Sequence, residues 1–214
     1  MGKVQGVKEK LHYPIYDAFY VPEDVSFQSK LTDPRMIRFF VDVQNKTRLE
    51  TNLQASGVLP SLNTFEARAL RVVVSSIVTP IRKDPAPQEL QESNEAGFLA
   101  DFIYSSVTTL LVGEKVMIEM PTYFFPSGAG ITQGGGSELL LGGIVYNHGQ
   151  PDPMSTFRFA EPVIIEPQQN FRVEISFPQG IPGQTATPPT GLAVVKGPLR
   201  IWVVLDGYLT RDVQ

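Results

Sequence analysis

The last third of the chain alternates apolar and polar residues with a period of two, a pattern typical of half-buried β-strands. In residues 171–177, the odd positions are Phe, Val or Ile, and the even positions are Arg, Glu and Ser. Residues 199–205 repeat this arrangement, with Leu, Ile or Val at every odd position. Because successive side chains of a strand point to opposite faces, each run presents one apolar face to a core. Pro, Gly and Gln separate the two runs, which predicts strands packed into a sandwich and joined by loops.

Further strands are predicted upstream, and the final run extends to residue 209. The predicted segments are 36–43, 64–78, 105–111, 115–125, 138–146, 156–165, 171–177 and 199–209. The middle of segment 64–78 is apolar on both parities, which predicts either burial on both faces or a bend. About eight strands favour an all-β fold, a single jelly-roll β-sandwich of antiparallel strands, which we assign to residues 35–214.

Two segments differ from this strand pattern. Residues 1–34 are predicted to form an N-terminal arm, because scattered aromatic residues are interrupted by three prolines. Such an arm needs a surface to cover, either on its own domain or on a neighbour. One short helix is predicted within residues 88–103, with Ser93 as a candidate N-cap. Residues 178–191 form a proline- and glycine-rich excursion, and long ordered loops of this kind are usually functional.

Composition narrows the classes of function. The 214 residues are 42% hydrophobic and 19% charged, which suits one large domain with a real core. The net charge is −4 and the N-terminal lysines form only a weak basic cluster, so specific nucleic-acid binding is not predicted. No apolar run approaches the ~20 residues of a membrane span, which predicts a soluble protein. Without cysteine, the chain has no disulfides, thiolate ligands or cysteine nucleophiles.

No stretch of the sequence carries a complete catalytic or cofactor motif. The glycine-rich segment 127–137 matches a dinucleotide fingerprint at two glycines but has Gln133 in place of the third, and we interpret it as an inter-strand loop. The two histidines, His12 and His148, lie in the arm and in a turn, and we interpret them as solvated rather than metal-ligating. We therefore predict no catalytic residue, no metal and no cofactor.

Paired carboxylates for glycoside hydrolysis remain an open alternative, because only the fold brings such groups together. The acidic residues in or beside predicted strands are Glu114, Glu119, Glu138, Glu174 and Asp206. An alternating strand normally carries charged residues on its solvent-exposed face, and we interpret these carboxylates as solvent-exposed rather than catalytic.

Aromatic residues on polar strand faces, in the arm and at a strand end are candidates for contacts between subunits. The candidates are Tyr16, Phe19, Tyr20, Tyr123, Phe125, Trp202 and Tyr208. Trp202 shares the parity of Arg200 and Asp206, so it can stack on a ligand, pack under the arm or lie in a subunit contact. Consecutive aromatics at 123–125 point both ways from a strand, so at least one is expected to face outward. Exposed apolar patches mark interaction surfaces.

The arrangement resembles the jelly-roll coat proteins, or major capsid proteins, of icosahedral viruses, particularly those of tailless bacterial or archaeal viruses. The resemblance is architectural and covers residues 36–214. Its best local features are the paired strands in 162–178, the closing strand in 198–214 and the helix in 88–103. It implies a structural virion protein, not an enzyme, which is made in the host cytoplasm and assembles into a capsid through loops and arms.

The partners that this resemblance implies are copies of the same chain and other capsid proteins. If the virus has an inner membrane, the basic N-terminus is expected to face it. The alternative is a carbohydrate- or receptor-binding β-sandwich module, which would use Trp202, Tyr123 or Tyr146 as stacking surfaces. A third hypothesis, an enzyme of cupin type, requires clustered metal ligands that the sequence does not suggest.

Overall fold

The computed structural model describes residues 8–76, 101–126, 132–133, 146–147 and 154–212. About half of these residues lie in strands, most of which form two antiparallel sheets that enclose one hydrophobic core. The all-β sandwich predicted from the sequence is thereby confirmed.

The elements are numbered in chain order. The first sheet contains β1 (Lys8–His12), β2 (Ile15–Val21), β4 (Thr64–Ser76), β9 (Arg158–Ile165) and β11 (Leu199–Asp212). The second sheet contains β3 (Met36–Phe39), β5 (Val107–Val112), β6 (Lys115–Pro121) and β10 (Phe171–Ser176). A two-residue pair joins β7 (Thr132–Gln133) to β8 (Tyr146–Asn147). Helical segments are α1 (Phe27–Lys30), residues 101–105, and the 3₁₀ turns Thr122–Phe124 and Gly191–Val194.

The strand order is that of a jelly roll. In the first sheet β11 lies between β2 and β4, and β9 pairs with β4; the second sheet has the order β3-β10-β5-β6. When β2 to β6 and β9 to β11 are counted as strands one to eight, the sheets read 1-8-3-6 and 2-7-4-5. Two Greek keys produce this order. β1 extends the frame by pairing with the C-terminal part of β11.

The periodicity read from the sequence correctly predicts which faces form the core. The odd residues of β10 and β11 up to Leu205 are buried, and so is Phe177. In β4 the inward parity changes from Phe65 and Ala67 to Leu70 and Val72, because bulges interrupt its pairing with both neighbours. This bend explains why the middle of the strand is apolar on both parities.

The described part of the predicted arm lies on its own domain. β1 and β2 pair with β11, and α1, which was not predicted, follows them. Ile15, Val21 and Phe27 are buried in the core, which is why these residues join the sandwich. Of the predicted helix, residues 101–103 are helical, and 88–100 lie outside the described residues. The predicted strand 138–146 also lies outside them, except for Tyr146 in β8.

The two ends of the sandwich differ. Antiparallel alternation places the short turns 113–114 and 166–170 at one end, together with segment 40–63. At the other end lie the connections from β2 to β3, β4 to β5, β6 to β9 and β10 to β11, and we call it the long-loop end. Of these four connections the structure describes residues 22–35, 101–106, 122–126, 132–133, 146–147, 154–157 and 177–198. Rings from three of them, Phe27, Phe102 and Phe177, meet edge to face with centroids 5.8 to 6.3 Å apart. This buried aromatic cluster joins the long connections to the core.

Candidate interaction surface

A short turn after β6 is held rigidly between the two sheets. The Thr122 N–H donates to the Ser106 carbonyl at 3.0 Å, and the Phe125 N–H donates to the Thr122 carbonyl at 3.0 Å. On the other side, the Phe125 carbonyl accepts from the Val72 N–H at 2.9 Å. The backbone of this turn is therefore bonded to the residue before β5 and to β4.

Three buried hydroxyl groups lie beneath the turn. The Thr122 Oγ1 atom lies 2.7 Å from Ser106 Oγ and 2.9 Å from Thr108 Oγ1. Ser106 Oγ also bonds the Phe102 carbonyl at 2.6 Å. Buried hydroxyl groups are costly without partners, so this network ties the helical residues 101–105 to the turn.

The rigid turn presents two aromatic side chains to solvent. Tyr123 is 47% exposed and Phe124 is 41% exposed, and their rings stack with centroids 4.6 Å apart. Tyr104 is 69% exposed, and its ring lies 5.9 Å from that of Tyr123. We call these three residues the aromatic platform. The platform is continuous with the core, because the half-buried Phe157 contacts both Phe124 and Phe125 edge to face.

The chemistry of the platform suits contact with another macromolecule. No residue in 121–126 is charged, so covering Tyr123 and Phe124 desolvates no ionic group of the turn itself. Aromatic side chains bury a large area and have few rotatable bonds, and they are enriched among residues that dominate binding energy. Because the backbone is already fixed, little further conformational entropy is lost when a partner binds.

Tyr123 is the predicted contact residue that lies in this platform, whereas Phe125, Phe19 and Tyr20 make contacts within the chain. Phe125 is fully buried, so its prediction as a surface contact is corrected. The Phe19 ring packs edge to face on Phe27 at 6.0 Å. The Arg200 guanidinium lies 4.6 Å from the centroid of the half-buried Tyr20 ring.

Tyr16 and Trp202 are covered by segment 45–53 of the same chain. The Tyr16 hydroxyl donates to the Arg48 carbonyl, and the Trp202 Nε1–H donates to the Leu49 carbonyl at 3.0 Å. Both side chains are half-buried and use their polar atoms internally. Of the alternatives for Trp202, packing beneath a segment of its own chain is the one observed, although that segment is not the arm.

Tyr208 lies within a charged cluster on the outer face of the first sheet. Lys10 Nζ lies 4.8 Å from its ring centroid and the Arg68 guanidinium 5.1 Å. Both cations also bond Glu66. The hydrogen bond from Lys10, followed by that from Arg68, holds the pKa of the Glu66 carboxyl below its usual range. Tyr208 is therefore flanked by cations of its own chain.

Tyr104 was not predicted as a site residue. It follows the predicted helix directly and carries no periodic signal of its own. Its meeting with Tyr123 depends on how two long connections pack against each other. The run of aromatic residues before Pro126 was the signal that indicated the rest of the platform.

Two of the candidate carboxylates, Glu174 and Asp206, are paired with arginine side chains on different sheets. Glu174 bonds Arg172 at 2.7 Å on the second sheet, and Asp206 bonds Arg71 in a fork on the first. The two other described candidates, at 114 and 119, are exposed, and Glu138 lies outside the described residues. Among the residues described, no group of three His, Cys, Asp or Glu side chains is arranged to hold a metal ion.

The structure describes only a small part of the glycine-rich segment and one of the two histidines. Segment 127–137 is described only at residues 132–133, which form β7. His12 is exposed in β1, with its ring 5.7 Å from that of Tyr208, whereas His148 lies outside the described residues. None of the helices in the described ranges is long and apolar enough to cross a membrane.

A groove of about 600 Å³ lies away from the platform, beside the junction of β1 and β2. Its polar walls are largely bonded to each other. The Asn52 amide accepts from the Tyr16 N–H at 3.0 Å and donates to the Pro14 carbonyl at 2.7 Å, and Lys46 is paired with Asp17. The groove therefore offers a ligand fewer free polar groups than its lining residues suggest.

Comparison with known proteins reveals no relative: no family model, no curated protein and no solved structure matches the chain. Function is therefore inferred from the fold and the surface alone.

Proposed function

We propose that this protein is a structural subunit whose copies assemble into a shell, the capsid of a virion. The observation that carries the proposal is the aromatic platform, in which Tyr104, Tyr123 and Phe124 are exposed on a rigid support at the long-loop end. Covering a surface of this kind with a partner is favourable, because it removes apolar area from water.

The size of the platform fits a repeated contact of modest strength. An aromatic side chain buries roughly 150–250 Å², so three rings supply only part of the ~800 Å² that each partner contributes to a stable interface. The platform therefore acts as the centre of a larger contact. In a closed shell each subunit makes several contacts at once, so a modest affinity at each is sufficient.

The jelly-roll order supports the assignment to a virion by analogy. This architecture occurs in viral capsid domains, lectins and cupins, so the fold does not choose among them. The platform favours assembly over sugar binding. Sugar sites combine a free ring face with surrounding polar groups, whereas here the Tyr123 and Phe124 rings stack on each other. Other coat proteins and an inner membrane are further partners that the same proposal accommodates.

The test is the state of assembly of the purified full chain. Light scattering coupled to size-exclusion chromatography, followed by negative-stain electron microscopy, is carried out over a range of protein and salt concentrations. Large particles of regular size are the expected result. A chain that stays monomeric under all these conditions, and binds a defined class of sugars on a glycan array, would instead identify a carbohydrate-binding module.

A further inference from the structure

We propose that the aromatic platform of one copy receives the exposed tip of the 178–191 excursion of a neighbouring copy. The tip comprises residues 185–190, with the sequence Thr-Ala-Thr-Pro-Pro-Thr, and we call it the proline tip. This inference rests on the proposed self-assembly and names the surface that the platform contacts.

The proline tip projects from the domain, and its base, which we call the neck, is closed by contacts between residues 183 and 190. Ile181 and Leu192 are buried on either side of it, and every residue from 185 to 190 is exposed. The Thr190 N–H donates to the Gly183 carbonyl at 3.1 Å, which closes the neck. Gly183 has φ +80°, and a Cβ there would lie 1.9 Å from the Thr190 carbonyl oxygen. The close approach of the two chain segments that form the neck therefore requires glycine at position 183.

The chemistry of the tip matches that of the platform. None of residues 178–195 is charged, although 19% of the chain is, and residues 121–126 also lack charge. Joining these two segments therefore buries no charged side chain that belongs to either of them. Exposed prolines dock onto aromatic side chains in many peptide-recognition domains, because the proline ring packs flat on a ring face and is already rigid. Pro188 and Pro189 supply two such rings.

The positions of the two surfaces favour a contact between copies. Both belong to the long-loop end, the platform through residues 104, 123 and 124, and the tip through connection 177–198. Each chain carries one platform and one tip. A contact between two different surfaces leaves a free platform on one subunit and a free tip on the other. Further subunits therefore add in the same way, and a ring forms where the rotation between neighbours closes, as a shell requires.

Disulfide trapping tests this contact, because the native sequence contains no cysteine. Two full-length variants, Pro189→Cys and Phe124→Cys, are prepared separately, mixed under assembly conditions and mildly oxidised. The control mixture contains Pro189→Cys and Val116→Cys. We expect the yield of cross-linked heterodimer from Pro189→Cys and Phe124→Cys to be about ten times that of the control mixture, which corresponds to a contact favoured by about 1.4 kcal/mol. Val116 is a matched control because it is 48% exposed and lies on the outer face of the second sheet.

The possible outcomes separate this inference from the proposed function. Regular particles without the Pro189–Phe124 cross-link would overturn the inference and leave the shell proposal standing. Cross-linking mainly between two Phe124→Cys chains would show that the platform pairs with itself, which also overturns it. If no particles form at all, both proposals fail. Tyr104→Cys provides a second platform variant, whose side chain is more exposed, if Phe124→Cys does not fold.

Discussion

Asp17 and Lys46 form an ion pair that joins β2 to the segment after β3. Lys46 Nζ lies 2.8 Å from Oδ1 and 2.9 Å from Oδ2 of the fully buried Asp17. The Phe40 N–H donates to the same carboxylate at 2.7 Å. Burial raises the pKa of the Asp17 carboxyl above its ordinary value of 3.8, although Lys46 opposes the shift. This carboxylate anchors the chain as it leaves the second sheet and runs towards β2.

Replacing Asp17 by Ala should destabilise the fold by about 2 kcal/mol, because the Phe40 N–H and the Lys46 ammonium both lose their acceptor. The free energy of unfolding in urea measures the effect. The control is Asp42→Ala, which removes an exposed carboxylate and should alter stability by less than about 0.5 kcal/mol. Equal effects of the two substitutions would show that the buried pair contributes nothing.

Asp17 should also make stability depend on pH in a defined direction. Because its pKa is raised in the folded chain, the folded chain binds the proton more tightly than the unfolded chain. The resulting stabilisation is fully present below the unfolded value of 3.8 and is lost as pH rises through the folded pKa. The native chain should therefore gain stability relative to Asp17→Asn as pH falls from about 7 to about 4. Urea midpoints at several pH values measure this difference, and a gap that narrows on acidification contradicts the raised pKa.

Gly207 permits the bulge between β11 and β4. A Cβ at this position would lie 2.1 Å from the Glu66 carbonyl oxygen, so Gly207→Ala must displace backbone and should cost about 3 kcal/mol. The comparison is Gly113→Ala in a tight turn, where φ is +60° but nothing lies within 4 Å of the added carbon. That substitution should cost about 1 kcal/mol. Thermal unfolding of both variants checks the order, and a larger cost at Gly113 would refute the close-approach argument.

Thr122→Val should weaken the support of the aromatic platform without changing its surface. The substitution keeps the shape of the side chain but removes a hydroxyl group that lies against Ser106 and Thr108, at a cost of about 1–2 kcal/mol. Near-ultraviolet circular dichroism should also lose signal, because the stacked rings become less ordered. Thr109→Val, on the opposite face of β5, is the matched control. Unchanged spectra and stability in Thr122→Val would mean that the hydroxyl network does not hold the turn.

Tyr123→Ser should impair assembly and leave folding intact. Tyr123 is about half exposed, so its loss should change the free energy of unfolding by no more than about 0.5 kcal/mol. Removing a central aromatic contact should raise the protein concentration needed for assembly by about tenfold. Val116→Ser, at 48% exposure, serves as the control in light-scattering titrations. If both variants assemble at the same protein concentration, the platform does not lie in the interface between subunits.

The faces of β10 and β11 could be predicted from the sequence because their burial pattern is local. β2 could not, because Asp17 occupies an inward position where a strand pattern requires an apolar residue. That carboxylate is tolerated only through partners at Phe40 and Lys46, which the fold brings from distant positions. Prolines at positions 14 and 22 also flank the strand closely, and prolines so near a segment argue against regular secondary structure.

The platform was predictable only in part, for a geometric reason. A strand continuing through residues 115–125 would place Tyr123 and Phe125 on the same face. The strand instead ends at Pro121, and the 3₁₀ turn directs Phe125 into the core and Tyr123 into solvent. Whether consecutive aromatics end in a strand or in a turn depends here on Ser106 and Val72, which lie far away in the sequence.

The contrast between the two ends of the sandwich separates the elements that determine folding from those that we propose for recognition. Strand pairing and the short turns at one end fix the architecture, whereas the exposed rings and prolines belong to connections at the other. Changes at the exposed positions of those connections therefore leave the scaffold intact. Proteins built on this scaffold can therefore acquire different binding partners through substitutions in a few exposed loop residues. A foreign peptide inserted for display would be accommodated best at the proline tip.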